Sequence, residues 1–236
     1  MKHQTLAFLS LIAISNPVFS ADLPQTEDRN NLPTQEVPPN TENFTDRLTA
    51  WLARMEKHAP ASSPKQAPSI AALAALEEIR ETVFNENGIR FFREHPRRDE
   101  AVKILVDFAA SPLRAERLDA TLSLANVVDN TTLCYPLSYL MTHPDIDPNG
   151  RVNLLQIVRG VSTYAFRDNE QWITQTLSAV RRSIASRSDM ELTRQLIFEI
   201  ETKLKTRNMG RTQDLASYNP VMYAKCVEQM KLAEAQ

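Results

Sequence analysis

Apolar residues recur at helical spacing from Phe44 almost to the end of the chain, and no stretch of similar length alternates with the period of two that a half-buried strand requires. Leu73, Leu76, Ile79 and Val83 share one face. Val102, Leu105, Phe108 and Ala109 share the next, followed by Leu118, Leu122, Ala125 and Val128. A shorter helix is expected around Leu137, Leu140 and Met141. Beyond it come Leu154, Val158 and Val161; Ile173, Leu177, Val180 and Ile184; and Leu196, Ile197, Ile200 and Leu204. A last helix is expected from Pro220 to about Ala233, with Tyr223, Cys226, Val227 and Met230 inward. Breakers stand between these stripes: Asn87-Gly88, expected as a helix stop, then Pro112, the polar run Asp129 to Thr132, and Pro144. The β-like patch from Ile89 to Phe92 is too short to change the class. An all-α fold follows, either a helical repeat of the α-solenoid kind or a compact helical bundle.

The N-terminal part divides differently. Residues 1–20 have the three parts of a secretory signal: a charged start at Lys2, an apolar run from Leu6 to Ile14, and small residues before a cut between Ser20 and Ala21. The run is shorter than the roughly 18 residues of a membrane span and is closed by Ser15, Asn16 and Pro17. A periplasmic or secreted location is therefore expected, with no stable membrane span. Residues 21–40 are polar and hold Pro24, Pro33, Pro38 and Pro39, a composition that cannot offset the entropy of ordering, so a disordered tether is expected. In residues 41–58, Phe44, Leu48, Trp51, Leu52 and Met55 fall on one helical face, with Asn43 as its expected N-cap. Pro60, Pro64 and Pro68 make 59–68 a linker that separates this amphipathic helix from an α-helical domain over 69–236, with its apolar face expected to dock on that domain and a mobile, partner-engaging helix as the alternative.

Composition closes some functional classes. The formal charge is −2, and loss of the signal removes one cation, so the chain stays near neutral and no nucleic-acid partner is expected. Only four glycines occur, at 88, 150, 160 and 210. Loops that cradle phosphates need closely spaced glycines, which excludes nucleotide binding by those routes.

Two segments carry a family resemblance: Ser111-Pro112-Leu113-Arg114-Ala115-Glu116-Arg117-Leu118-Asp119-Ala120, and Asp147-Pro148-Asn149-Gly150-Arg151-Val152-Asn153-Leu154-Leu155. In each, a polar proline-containing turn precedes a helix with an early arginine and an apolar face. Over residues 97–206 the chain resembles a HEAT or armadillo-type helical repeat protein. The resemblance implies a stacked scaffold that presents a surface to partners, and it carries over no catalytic residue.

Candidate chemistry is sparse. Asp145, Asp147 and Asn149 stand at positions one, three and five of an EF-hand-like loop, with Gly150 at the turning position, Arg151 at seven, Asn153 at nine and Gln156 at twelve. Calcium is the one cofactor this pattern suggests. Against it, Gln156 replaces the bidentate carboxylate, and Asp, Pro, Asn and Gly are also the ordinary residues of a turn. Cys134 and Cys226 are the only cysteines, and in an oxidising compartment a bridge between them is expected, closed by the chain after Leu204 folding back. His58, His95 and His143 lie beside breakers without metal-ligand spacing. Glu77, Glu78 and Glu81 read as a solvated helix face. Arg90, Arg93, Arg97 and Arg98, with Phe91 and Phe92 between, form the one basic-aromatic cluster, an anion or partner surface unless the arginines cap helix ends.

The function expected from these features is a non-enzymatic interaction or scaffold protein of the cell envelope that engages a protein partner. The alternative is a cell-envelope glycan hydrolase whose carboxylates are assembled only by folding. No catalytic residue is assigned from the sequence.

Overall fold

A computed structural model describes residues 41–161, 163–206 and 220–235; the expected signal and tether lie outside them. The described residues form ten helices and no strand. They are α1 (Thr41–Met55), α2 (Ile70–Thr82), α3 (Glu86–Glu94), α4 (Arg98–Ala109), α5 (Arg114–Val127), α6 (Cys134–Thr142), α7 (Pro148–Gly160), α8 (Thr163–Ile184), α9 (Glu191–Thr206) and α10 (Pro220–Glu234). No helix among the described residues is long and apolar enough to cross a membrane.

The helices pack in successive pairs, α4 with α5, α6 with α7 and α8 with α9. Two rows result. In one, α4 touches α6 and α6 touches α8; in the other, α2, α5, α7 and α9 touch in succession. This nearest-neighbour order is that of stacked helical pairs. The last helix departs from it, because α10 returns to pack on α6 in the middle of the stack.

The first helix is not set apart. Leu48, Trp51, Leu52 and Met55 are all buried in the same core as Leu76, Leu105 and Leu124, and the Trp51 indole donates to the Ala75 carbonyl at 2.6 Å. A fully buried side chain of this size stabilises by about 1.5–3 kcal/mol through lost apolar surface, which is why the predicted stripe docks rather than standing free. α1 begins at Thr41, so Asn43 lies inside the helix and not at its cap.

Other boundaries move for local reasons. Asn87-Gly88 does not stop a helix: α2 ends at Thr82, Asn85 caps α3 through a 2.9 Å bond from the Gly88 amide, and Ile89 to Phe92 are helical. A Cβ on Gly88 would fall 1.8 Å from the Thr82 carbonyl oxygen, so that site needs glycine for closeness. In α5 the buried set is Glu116, Arg117, Ala120, Ser123, Leu124 and Val127, whereas Leu118 is 51% exposed. Of the expected stripe, Val128 is buried and Leu122 half-buried but Leu118 and Ala125 are exposed, so the stripe is rotated from the true one. α5 packs against α4, α2 and α7, and its buried face includes polar side chains that no hydrophobic period registers.

Candidate functional site

The proline-bearing segment 59–68 is fixed to the body by a buried polar knot. Ala61 is buried, and its amide donates to Glu116 Oε2 at 3.0 Å; the Ser111 hydroxyl donates to the same oxygen at 2.5 Å. Arg117 then donates to the Ser111 and Pro112 carbonyls at 2.9 and 2.6 Å, and the Leu113 amide donates to Ser111 Oγ at 3.1 Å. Burial lowers the pKa of Arg117, with Asp147 at 3.7 Å opposing that shift. Buried polar groups are tolerated when their hydrogen bonds are met, and here they lock the α4–α5 turn and the 59–68 segment together.

This knot forms one wall of a hollow of about 580 Å³, a size within the range of about 300–1,000 Å³ usual for ligand clefts. Pro60 and Pro64, Pro112, and Pro144 line it from three separate segments, together with Ala110 and Ile146. Its polar groups are Ser62 from the 59–68 segment, Ser111 from the α4–α5 turn, Asp107 from α4, Tyr139 and His143 from the end of α6, and Asp145 and Asp147 from the α6–α7 turn.

The rings of Tyr139 and His143 stack with centroids 4.0 Å apart and planes 11° from parallel. The pair sits at helical i, i+4 spacing, so α6 itself brings the rings together. His143 Nδ1 lies 3.1 Å from the Tyr139 carbonyl and 2.9 Å from Thr142 Oγ1. Asp107 makes no hydrogen bond or ion pair among the described residues. Burial pushes its carboxyl up to about 6, with His143 and then Lys103 pulling it back. By surface area Asp107 is nonetheless exposed on the open side, where solvent screens its charge and weakens that push. Burial also raises the Tyr139 hydroxyl, and the Asp107 charge adds to that.

The residues of the expected calcium loop are not gathered around one point. Asp147 is the N-cap of α7, its carboxylate accepting from the Asn149 and Gly150 amides at 2.9 and 3.4 Å. Pro148 to Gly160 is helix, which strings Asn149, Asn153 and Gln156 over about 10 Å of axis, whereas ligands of one calcium lie about 2.3–2.6 Å from it. Arg151 is buried, donating to the Pro144 carbonyl at 2.5 Å and lying 3.6 Å from Met190 Sδ. Gly150 is small for a different reason: a Cβ there would lie 2.5 Å from the Ala110 carbonyl oxygen. Asp145 alone of the set faces the hollow without a capping duty. Among the described residues no group of three His, Cys, Asp or Glu side chains is placed to hold a metal ion.

The arginine cluster is spent on the fold. Arg93 donates to the Asn126 carbonyl at 3.2 Å and Arg98 to the Arg93 carbonyl at 2.8 Å, with Thr131 and Asp129 beside it. Arg97 pairs with Glu56 at 2.5 Å and Glu100 at 2.6 Å. Arg90, exposed, lies over the ring of Phe91. Three of the four thus serve helix ends and interhelical pairs, and the expected basic surface reduces to Arg90. Glu77 and Glu81 flank Arg80, and Glu78 pairs with Arg54 at 2.5 Å, as a solvated face does. His95 is buried, with Nε2 3.3 Å from Thr49 Oγ1 and Nδ1 accepting from the Arg97 amide. His58 lies 3.4 Å from Ser69 Oγ.

Cys134 is fully buried at the start of α6, and among the described residues no cysteine is free. The Cys226 side chain lies outside the described residues; its helix, α10, is the one that packs on α6. Asp107, Tyr139 and Glu116 were not singled out by sequence. Tyr139 and His143 at i, i+4 were legible as neighbours, but nothing local signals that Asp107 joins them from another helix.

No family model, no curated protein and no solved structure matches this chain.

Proposed function

We propose that the chain is an exported, non-enzymatic interaction protein of the periplasm or secreted space, which holds a protein partner in the hollow bounded by the 59–68 segment and the ends of α4 and α6. Residues 1–20 direct its export. The observation that carries this reading is the contrast between two sets of polar groups. Those inside the body, such as Glu116, Arg117 and Arg151, are consumed in bonds that hold the fold, while Asp107 and Asp145 line an open hollow with neither an ion pair nor a hydrogen bond among the described residues. A rigid frame around unspent groups is what a binding surface needs.

A Cys134–Cys226 bridge belongs to the same proposal. It is supported by the return of α10 onto α6 and by the burial of Cys134, and it clasps the C-terminal helix to the middle of the stack.

Affinity purification of the tagged full chain from its own envelope fraction tests the reading: a partner retained in stoichiometric yield is expected, and a chain recovered alone after cross-linking contradicts it. One observation favours the hydrolase alternative. Asp107, its carboxyl raised to about 6, shares the hollow with Asp145, and a partly protonated acid beside a second carboxylate is the arrangement glycan hydrolysis uses. Release of soluble fragments from purified cell-wall glycan, lost in Asp107→Asn, would establish that reading instead.

A further inference from the structure

We infer that the hollow accepts a basic residue in an extended segment of the partner, an arginine or lysine whose charge lies between Asp107 and Asp145 while its neighbours run over the proline-lined walls. The inference rests on the interaction reading and names the chemistry of the occupant.

Charge complementarity selects the occupant. Of the three carboxylates that line the hollow, Asp147 is committed to the α7 cap and to Arg117, but Asp107 and Asp145 have no ion pair among the described residues. Among the described residues no lysine or arginine side chain lines it. Lys103, His143 and Arg151 act on these two carboxylates only at longer range, so the hollow attracts a cation and disfavours an acidic segment, discriminating by repulsion as well as by attraction. The stacked pair Tyr139 and His143 adds a flat surface, on which a guanidinium packs better than a compact ammonium.

The walls select the backbone. Prolines from three separate connections, at 60, 64, 112 and 144, give rigid apolar surfaces that lose little entropy when covered. Together with the aromatic pair, they suit an extended chain that lays alternate side chains into a groove, the mode used for polyproline-like segments. The knot at Glu116 keeps the 59–64 wall in place before binding, so ordering that wall adds no cost at that step.

The test uses the full chain with isotope-labelled backbone amides and three defined probes, acetyl-Pro-Arg-Pro-amide, acetyl-Pro-Lys-Pro-amide and acetyl-Pro-Glu-Pro-amide, titrated to millimolar concentration at neutral pH. Saturable shifts centred on residues 107, 139, 143 and 145 are expected with the arginine probe, weaker ones with lysine and none with glutamate. The Asp107→Asn, Asp145→Asn double variant, checked for unchanged helicity, should weaken the arginine probe about tenfold. Equal binding of the arginine and glutamate probes, shifts confined to another surface, or an unaffected double variant would overturn the inference. The interaction reading is judged separately: a partner captured equally by wild type and double variant leaves it standing and removes only the basic-residue site.

Discussion

The amide of Ala61 donates to Glu116 Oε2 across 3.0 Å, joining two residues 55 positions apart in the sequence. That bond turns what composition marks as a loose linker into a wall of the hollow. The Ser111 hydroxyl shares the same acceptor, so removing the carboxylate strands two buried donors at once. Leaving a buried donor unmet costs about 1–3 kcal/mol. Glu116→Ala is accordingly expected to lower stability by about 2–4 kcal/mol in urea unfolding and to open 59–68 to proteolysis; Glu116→Gln, which keeps a carbonyl acceptor, should lose less. Unchanged protease resistance in Glu116→Ala would mean that the segment is held by other contacts.

A second expectation concerns α1. Trp51 is buried and bonded to Ala75 across the α1–α2 interface. Trp51→Ala should destabilise the whole unit by about 3–5 kcal/mol, in the usual range for emptying a large core site. Trp51→Phe should cost less, about 1 kcal/mol for the lost hydrogen bond. A single cooperative transition shifted to lower denaturant is the expected readout. A separate early transition would instead return α1 to the status of an independent helix.

The α7 start gives a paired prediction. Asp147→Ala removes an N-cap and should cost about 1 kcal/mol, equally with and without calcium, because the carboxylate serves amides and Arg117. Gly150→Ala drives a Cβ to 2.5 Å from the Ala110 carbonyl oxygen and should cost about 2 kcal/mol through overpacking. A melting temperature that rises with millimolar calcium in the native protein, and not in Asp145→Ala, would restore the ion-loop reading.

These cases show what a sequence of this kind discloses. The all-α class and most apolar stripes were legible because a 3.6-residue period survives any packing arrangement; Leu48, Trp51, Leu52 and Met55 of α1 and the face of α9 are buried as expected, while the Phe44 side chain lies outside the described residues. The face of α5 was not, since half of what it buries is polar and recognisable only through partners on other segments. Asp147-Pro148-Asn149-Gly150 is equally compatible with an ion loop and a capped helix start, and the close approach of Ala110 decides between them. The hollow itself collects residues from three connections and two helices, which no local pattern announces.

Asp107 sets a pH dependence whose sign follows from its raised pKa. The unfolded value is about 3.9, and the folded one is about 6. The folded state therefore holds the proton more tightly, so the stability this group contributes is complete below about pH 4 and is lost as pH rises through about 6. Against Asp107→Asn, the native protein should lose melting temperature across that window and run parallel above it. Lys103 on the same helix and His143 and Tyr139 on α6 interact with this carboxylate, and solvent screens it, so a shift of a few degrees at most is expected. Parallel curves from pH 4 to 7 would show that burial does not hold the proton.

The proposed clasp is read by thiol chemistry. With Cys134 bridged to Cys226, the unfolded, unreduced chain should titrate with no free thiol, and reduction should destabilise it by up to about 4–5 kcal/mol because so large a loop is closed. Two free thiols per chain would remove the bridge.

The central claim, that the hollow is where a partner binds, is tested most directly by photo-crosslinking in the native host. A photoreactive amino acid placed at Asp107 and, separately, at the exposed Thr202 of α9 reports which surface is covered. The account predicts one discrete heavier adduct from position 107 and none from position 202. No adduct from 107, or the same adduct from both positions, would contradict it.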